Sequence, residues 1–422
     1  MKRIAIIGAG ISGVSLAKML QEGDIGEVVV FEKNRQAGGL LACEEIDGHV
    51  FHKVGGHVFN SKNPHVLEWF WSQFDKEKEF RLAKRNAQIL VDGQYIGYPI
   101  ENHLSKLPED ILARVVEELL TGEKGGDEIN EVNFGHYLRS TFGQTLYNLY
   151  FEPYNRKIWN CDLHQIPLAW LDGKLPMPNI RQIVLNNLVQ AEEKEMVHAT
   201  FYYPKQGGSQ FIIDRLAKGL DIRLGTAVEN IGKTSDGWSV NKDIFDVVVY
   251  SADVRQLGDM YEGRAQIQPE LDKIRNFRST GVLNVFCETD VTSVSWLYLP
   301  DPSLKAYRII YTGQFSQQDL TAKQNRSTCV VAFSGQQDRG EIREELKKLP
   351  GNLKELAYNY EPNAYVIQET ETRKQVAAIK SKLSEGGFYL AGRFAEWEYY
   401  NMDKCLERAM DVKKEIVQFL NG

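Results

Sequence analysis

The chain has 422 residues, 43% of them hydrophobic and 25% charged, and a formal net charge of −7. That length exceeds a single core and points to two or three domains, while the acidic balance argues against a nucleic-acid partner and requires a local basic pocket for any anionic ligand. No apolar run approaches the roughly 18 residues of a membrane span, and no signal peptide is expected ahead of the first strand.

In chain order, Arg3–Ile7 is a short apolar run that reads as a buried strand. It feeds Gly8-Ala9-Gly10-Ile11-Ser12-Gly13, a GxGxxG turn, then a helix carrying Val14, Leu16, Ala17 and Leu20. A second apolar strand, Val28 to Phe31, ends at Glu32, nineteen residues after Gly13. Gly8 allows the tight turn, Gly10 lets backbone approach a pyrophosphate, and Gly13 lets helix and strand pack closely. The pyrophosphate is expected on the helix N-terminus at Ile11 and Ser12, and a ribose 2′-OH on Glu32. A bare glycine turn would use the same letters, but strand, turn, helix, strand and acid in order point to a dinucleotide site.

Lys33 and the pair Gly38-Gly39, followed by Leu40, resemble the second phosphate-proximal segment of FAD-binding proteins related to amine oxidases and protoporphyrinogen oxidase. In Val54-Gly55-Gly56-His57-Val58 the glycines could bring backbone against an isoalloxazine ring, with His57 facing it. A structural histidine in a turn fits the same letters. Residues 88–98 read as a hairpin with an Asp92-Gly93 turn. A helix follows Pro108, with Ile111, Leu112, Val115, Val116, Leu119 and Leu120 on one apolar face. Gly122 to Asp127 reads as a solvated connection, and Phe134 to Leu149 as a second amphipathic helix. Later strands are expected at 222–224, 228–231 and 246–252, with an antiparallel set between 257 and 365 and a return strand at 388–392. A last helix begins near Asn401-Met402-Asp403, its N-terminal dipole toward the flavin. No second GxGxxG follows a strand. The five cysteines (Cys43, Cys161, Cys287, Cys329, Cys405) are scattered and never form a CxxC pair, which fits a reducing cytoplasm and no metal site.

Glu152-Pro153-Tyr154-Asn155-Arg156-Lys157-Ile158-Trp159, with Gly55-Gly56-His57-Val58 upstream, resembles the UDP-galactopyranose mutase family, nearer its eukaryotic form. The likeness continues through 169–179 and 199–208, then Tyr307-Arg308-Ile309, and closes with Gly392-Arg393-Phe394-Ala395-Glu396-Trp397-Glu398-Tyr399. It implies an α/β fold: a Rossmann-like FAD-binding domain from 1–75, 200–256 and 366–422, a mostly helical insertion at 76–199 and an antiparallel sheet domain at 257–365. It implies covalent catalysis, in which reduced flavin N5 attacks the anomeric carbon of a UDP-sugar with no net redox. Further implications are FAD held at Val228, Gly392 and Arg393 as well as the glycine segments, and NAD(P)H or another reductant. A homodimer and a place in cell-surface polysaccharide biosynthesis would also follow.

The same resemblance puts the diphosphate on Arg308, Tyr365 and Tyr399, the uracil between Tyr98 and the backbone near Glu101, and the sugar near Asn155 and Trp159. Gly56 and His57 join Arg308, Tyr365 and Tyr399 as the expected catalytic set. Two departures stand out. Lys174 occupies the place of the family's second diphosphate arginine, and a point charge does not reproduce a bidentate fork. Asn60-Ser61-Lys62-Asn63 follows the Gly-Gly-His loop, where mutases usually carry another histidine. Three readings stay open: a UDP-sugar mutase, an FAD oxidoreductase of the protoporphyrinogen or amine oxidase type, and a flavin-binding protein without catalysis.

Overall fold

A strand that is apolar at successive positions needs cover on both faces. In the computed structural model, which describes residues 1–121, 133–168, 179–189, 199–316 and 326–422, Arg3–Ile7 lies at the centre of a five-stranded parallel sheet. The order is Phe388–Leu390, Val247–Tyr250, Arg3–Ile7, Glu27–Phe31, Asp221–Arg223. Ile4 and Ile6 face the helices Ile11–Glu22, Gln210–Ala217 and Met402–Asn421. Ala5 and Ile7 face the other way, in the layer that holds Trp238 and Phe245 of a small antiparallel sheet. Three separated stretches of chain therefore build one sheet. The strand expected at 228–231 starts only at Ile231, because Asn241 Oδ1 accepts the Glu229 N–H at 2.9 Å and holds that stretch outside the ladder.

The second sheet has seven strands: Lys354–Val366, Ser279–Asp290, Arg326–Ser334, Ala306–Ile310, Trp296–Tyr298, Ala87–Val91 and Gln94–Gly97. Every neighbouring pair is antiparallel except Trp296–Tyr298 beside Ala87–Val91. The hairpin, expected inside the helical insertion, is thus the edge of the sheet. Its Ile89, Val91 and Ile96 are buried and need the apolar partner that Trp296–Tyr298 supplies. Alternation sorts the two faces. Leu283, Val285, Leu297, Ile309, Val331 and Phe333 pack with Ile342 and Leu346 of the helix Arg339–Leu346. Register then puts Asn284, Ala332, Arg308, Ile310, Trp296 and Tyr298 on the opposite face, toward the parallel-sheet domain.

In the helix Glu109–Thr121, Val115 and Leu119 are buried, but Val116 (41%) and Leu120 (75%) are exposed. The apolar face is narrower than expected, since each of those residues stands about 100° further round the helix. Phe134–Leu146 kinks at Gly143 (φ 83°), then continues through a π-helical turn at Tyr147–Phe151 into Glu152–Trp159. Residues 122–127 and 169–178, which include Lys174, lie outside the described residues.

Candidate active site

The first glycine loop is closed from below and open above. A Cβ on Gly13 would lie 2.0 Å from the Gly8 carbonyl oxygen, so helix and strand pack backbone to backbone there. A Cβ on Gly10 would meet nothing nearer than Gly39 Cα at 4.0 Å. The second glycine pair docks on the first, with Gly38 N–H donating to Ala9 O at 2.9 Å. No side chain caps the helix that starts at Ile11 and Ser12. Buried Glu32 accepts from the N–H groups of Ala9 and Asn34, both at 2.9 Å, and so fixes the loop against the second strand. Lys33 beside it is exposed, and Leu40 and Val228 are half-buried. The stretch leading to Val228 is tied back by Thr226 N–H donating to Glu32 O at 2.8 Å. Gly392 (φ 110°) closes on Ser12, where a Cβ would lie 2.7 Å from Oγ. Asn401 precedes the last helix, Met402 is buried, and burial pushes the Asp403 carboxyl up. Space above Gly10, backbone N–H groups at an uncapped helix start and a glycine-lined approach together fit a dinucleotide pyrophosphate.

A cavity of roughly 160 Å³ lies further along, between this domain and the seven-stranded sheet. Gly55 (φ 62°) donates its N–H to Asn284 Oδ1 at 3.1 Å, and a Cβ there would lie 3.4 Å from Arg308 Nη2. A Cβ on Gly56 would come within 2.7 Å of Ile310. The Gly-Gly-His loop and the arginine strand therefore meet. His57 lines the cavity and its Nε2 is buried without a hydrogen-bond partner among the described residues. Burial, then the charges of Arg393, His52 and Arg308, push its pKa down to about 3, although a hydrogen bond to Val54 works the other way. It is a neutral ring at pH 7.

Arg308 donates from Nη2 to the Tyr365 hydroxyl at 2.8 Å, while its Nε is buried without an acceptor among the described residues. Burial works against its charge, but the oxygens of Tyr307, Tyr365, Tyr154 and Tyr298 outweigh it and hold the proton more firmly than usual. Tyr399 stacks on Tyr365 with ring centroids 5.7 Å apart. Burial, then Tyr365, pushes Tyr399 up to about 12, which keeps it a hydroxyl donor. Trp159 sets its ring edge-on to Tyr365 (5.8 Å) and Tyr399 (6.1 Å). Arg393 lies over the Tyr399 ring at 4.8 Å, and its N–H groups go to the carbonyls of Ala364 and Tyr400.

The other expected residues are placed differently. Asn155 turns onto its own helix, donating to Phe151 O at 2.8 Å and accepting from Trp159 Nε1 at 3.2 Å, so it orients the tryptophan. Tyr98 packs on Tyr298 at 4.8 Å. Glu101 is buried, and its carbonyl accepts from Asn187 Nδ2 at 2.6 Å. Sequence reasoning missed Arg85, Asn284, Trp296 and Tyr298. Alternation back from the hairpin (Ile89, Ala87, Arg85) is the one signal for Arg85, which follows Arg81 and Lys84 in a run of cations.

Residues 6–74 match a family model described as an NAD(P)-binding Rossmann-like domain. Over the whole chain, a crystal structure of reduced UDP-galactopyranose mutase superposes with a TM-score of 0.86 at 18% identity, covering 100% of this chain and 95% of that one. The fold is that of a UDP-galactopyranose mutase. The resemblance read from the sequence thus extends to the whole backbone. Among curated relatives, the dTDP-fucopyranose mutase of Escherichia coli is 27% identical over 181 residues, 42% of this chain. That match spans less than half (46%) of the fucopyranose mutase's own length. The coproporphyrinogen III oxidase of Staphylococcus aureus is 21% identical and aligns over 91% of this chain and 84% of its own length. The mutase fold is therefore shared with porphyrinogen-oxidase relatives, and the site has to distinguish them. Among the described residues, no helix is long and apolar enough to cross a membrane, and no group of three acidic, histidine or cysteine side chains could hold a metal.

Proposed function

We propose that this chain is a flavin-dependent nucleotide-sugar mutase, interconverting pyranose and furanose forms of UDP-galactose or a close UDP-hexose. The observation that carries the reading is Arg308. It is a half-buried guanidinium, sealed at Nε, with no carboxylate in ion-pair range among the described residues, against the Gly55-Gly56-His57 loop and held by Tyr365. A buried charge left without a counter-ion is expensive, and an anionic ligand resolves it.

FAD, held at the Gly8–Gly13 and Gly38-Gly39 loops, Glu32 and the Gly392–Asp403 segment, supplies in its reduced form the nucleophile for the anomeric carbon. The chain's own groups do the rest. Arg308 binds the diphosphate through its planar fork and stabilises the charge that grows on it as the glycosidic bond breaks. Tyr399, kept a hydroxyl at neutral pH, and Tyr365 donate to the same oxygens. Trp296 walls the cavity, and the Trp159 ring, oriented by Asn155, backs the Tyr365 and Tyr399 rings, so that water is excluded from the opened sugar. His57, kept neutral, adds no positive charge that would compete for the diphosphate.

The test is anaerobic incubation of dithionite-reduced protein with UDP-galactofuranose, followed by chromatography. The pyranose form should appear with reduced protein and be absent with oxidised protein. A second reading, an FAD oxidase acting on a porphyrinogen, is favoured by the long alignment with the Staphylococcus aureus enzyme. Porphyrinogen turnover without any sugar interconversion would establish it.

A further inference from the structure

A second guanidinium shares the cavity. Arg85 lines it together with Arg308 and stands just before Ala87–Val91, two residues from Ala87 and so on the same face of the sheet as Trp296 and Tyr298. Its Cζ is 5.0 Å from the Trp296 ring centroid and 5.3 Å from that of Tyr98, which holds the side chain between two aromatic rings. One Nη2–H donates to the Tyr298 hydroxyl. The Nε is buried and has no hydrogen-bond partner, and no carboxylate lies within ion-pair range among the described residues. An arginine needed only for packing would find a carbonyl or acid for that donor, as Arg393 does with Ala364 and Tyr400.

The register also separates the two arginines. Arg308 stands opposite Tyr298, whereas Arg85 lies beyond the level of Trp296, whose partner Ile310 abuts Gly56 of the glycine loop. Both arginines therefore border the Gly-Gly-His loop, Arg308 on the side of Tyr365 and Tyr399, where the diphosphate is assigned, and Arg85 on the side walled by Trp296. Resting on the nucleotide-sugar reading above, we propose that Arg85 is a specificity-determining residue. The part of its guanidinium that faces the cavity donates to an oxygen substituent of the hexose and so distinguishes a UDP-hexose from UDP itself. Arg is suited to this task because its fork is held flat between the rings and loses little freedom on bonding.

The experiment is calorimetric titration of the flavin-loaded protein with UDP and with UDP-galactose, for wild type, Arg85→Lys and Arg85→Ala. Arg85→Lys keeps the charge and the stem between the rings but not the planar guanidinium fork, so it guards against loss of fold in the alanine variant. Both variants should bind UDP within about twofold of wild type and lose roughly ten- to hundredfold of the UDP-galactose affinity. Equal losses for UDP and UDP-galactose would put Arg85 on the diphosphate and overturn the assignment. Unchanged binding of both ligands would make Arg85 a packing residue and overturn it equally. Failure of wild-type protein to bind UDP at all would remove the nucleotide-sugar reading itself, and this inference with it.

Discussion

Two glycines in the first loop should respond oppositely to the same methyl group. Gly10 has φ −76° and ψ 179°, a conformation open to alanine, and its added Cβ would find the nearest heavy atom 4.0 Å away. Gly10→Ala should leave the cofactor-free protein within about 0.5 kcal/mol of wild type or slightly more stable, since alanine restricts the unfolded chain. Gly13 lies inside the helix Ile11–Glu22, where alanine would ordinarily gain about 0.5–1 kcal/mol. Its Cβ, however, would stand 2.0 Å from Gly8 O and 3.1 Å from Ser251 Oγ. Relieving the first contact moves helix from strand by more than about 1 Å, and overpacking of this kind costs roughly 1–3 kcal/mol or more, so the net effect is destabilising. Flavin retention should be lost in both variants, in Gly10→Ala because the methyl occupies the pyrophosphate space. Urea unfolding of the stripped protein, followed by tryptophan fluorescence, gives the stability arm. The flavin absorbance that survives gel filtration gives the binding arm. Gly10→Ala protein that keeps its flavin, or that loses as much apoprotein stability as Gly13→Ala, would refute the cradle.

Three further outcomes can be checked. His57 takes its proton near pH 3 in the folded protein against 6.5 when free, so the unfolded chain binds more protons between those values and stability falls as pH drops through that window. The stability lead of wild type over His57→Asn should shrink by about 2–3 kcal/mol between pH 7 and pH 4.5; an unchanged difference in urea titrations contradicts the buried neutral ring. Arg308→Ala should weaken UDP binding by about 1.5–3 kcal/mol by calorimetry, more if the contact is desolvated, and equal affinity removes the diphosphate assignment. Asn155→Ala removes the acceptor of Trp159 Nε1 and should cost about 1 kcal/mol in urea while red-shifting tryptophan emission; an unaltered spectrum would show that the ring is held by packing alone.

Local signals were easy to read, and long-range ones were not. Strand, glycine turn, helix, strand and acid lie within the first 32 residues, and each is set by its own periodicity or backbone need. The hairpin at 87–97 was equally plain as a hairpin. Its parallel docking on Trp296–Tyr298 was hidden, because the buried face of an edge strand does not name its partner. Arg308, Tyr365 and Tyr399 come from different strands and a loop, and only family resemblance drew them together in advance. Arg85 had no such help, since nothing local separates a cation facing a cavity from its neighbours Arg81 and Lys84. Asn155 was likewise named only by resemblance, and its bonds to Phe151 O and from Trp159 Nε1 are set by its helix, which no periodicity announces.

The parallel sheet that carries the glycine loop draws its strands from three distant stretches, with Ile4 pairing Val247 and Val248 in turn pairing Phe388. The helix Met402–Asn421 covers the helix Ile11–Glu22. On the ribosome, the first strand can find only Glu27–Phe31 until Val247 emerges, a wait of about 10–50 s at ordinary elongation rates. Throughout that interval the nascent chain presents an unpaired, fully apolar strand edge. The glycine loop therefore takes its final form among the last events of synthesis, and release of a chain short of the final helix yields a protein with its motif intact and its cradle uncovered.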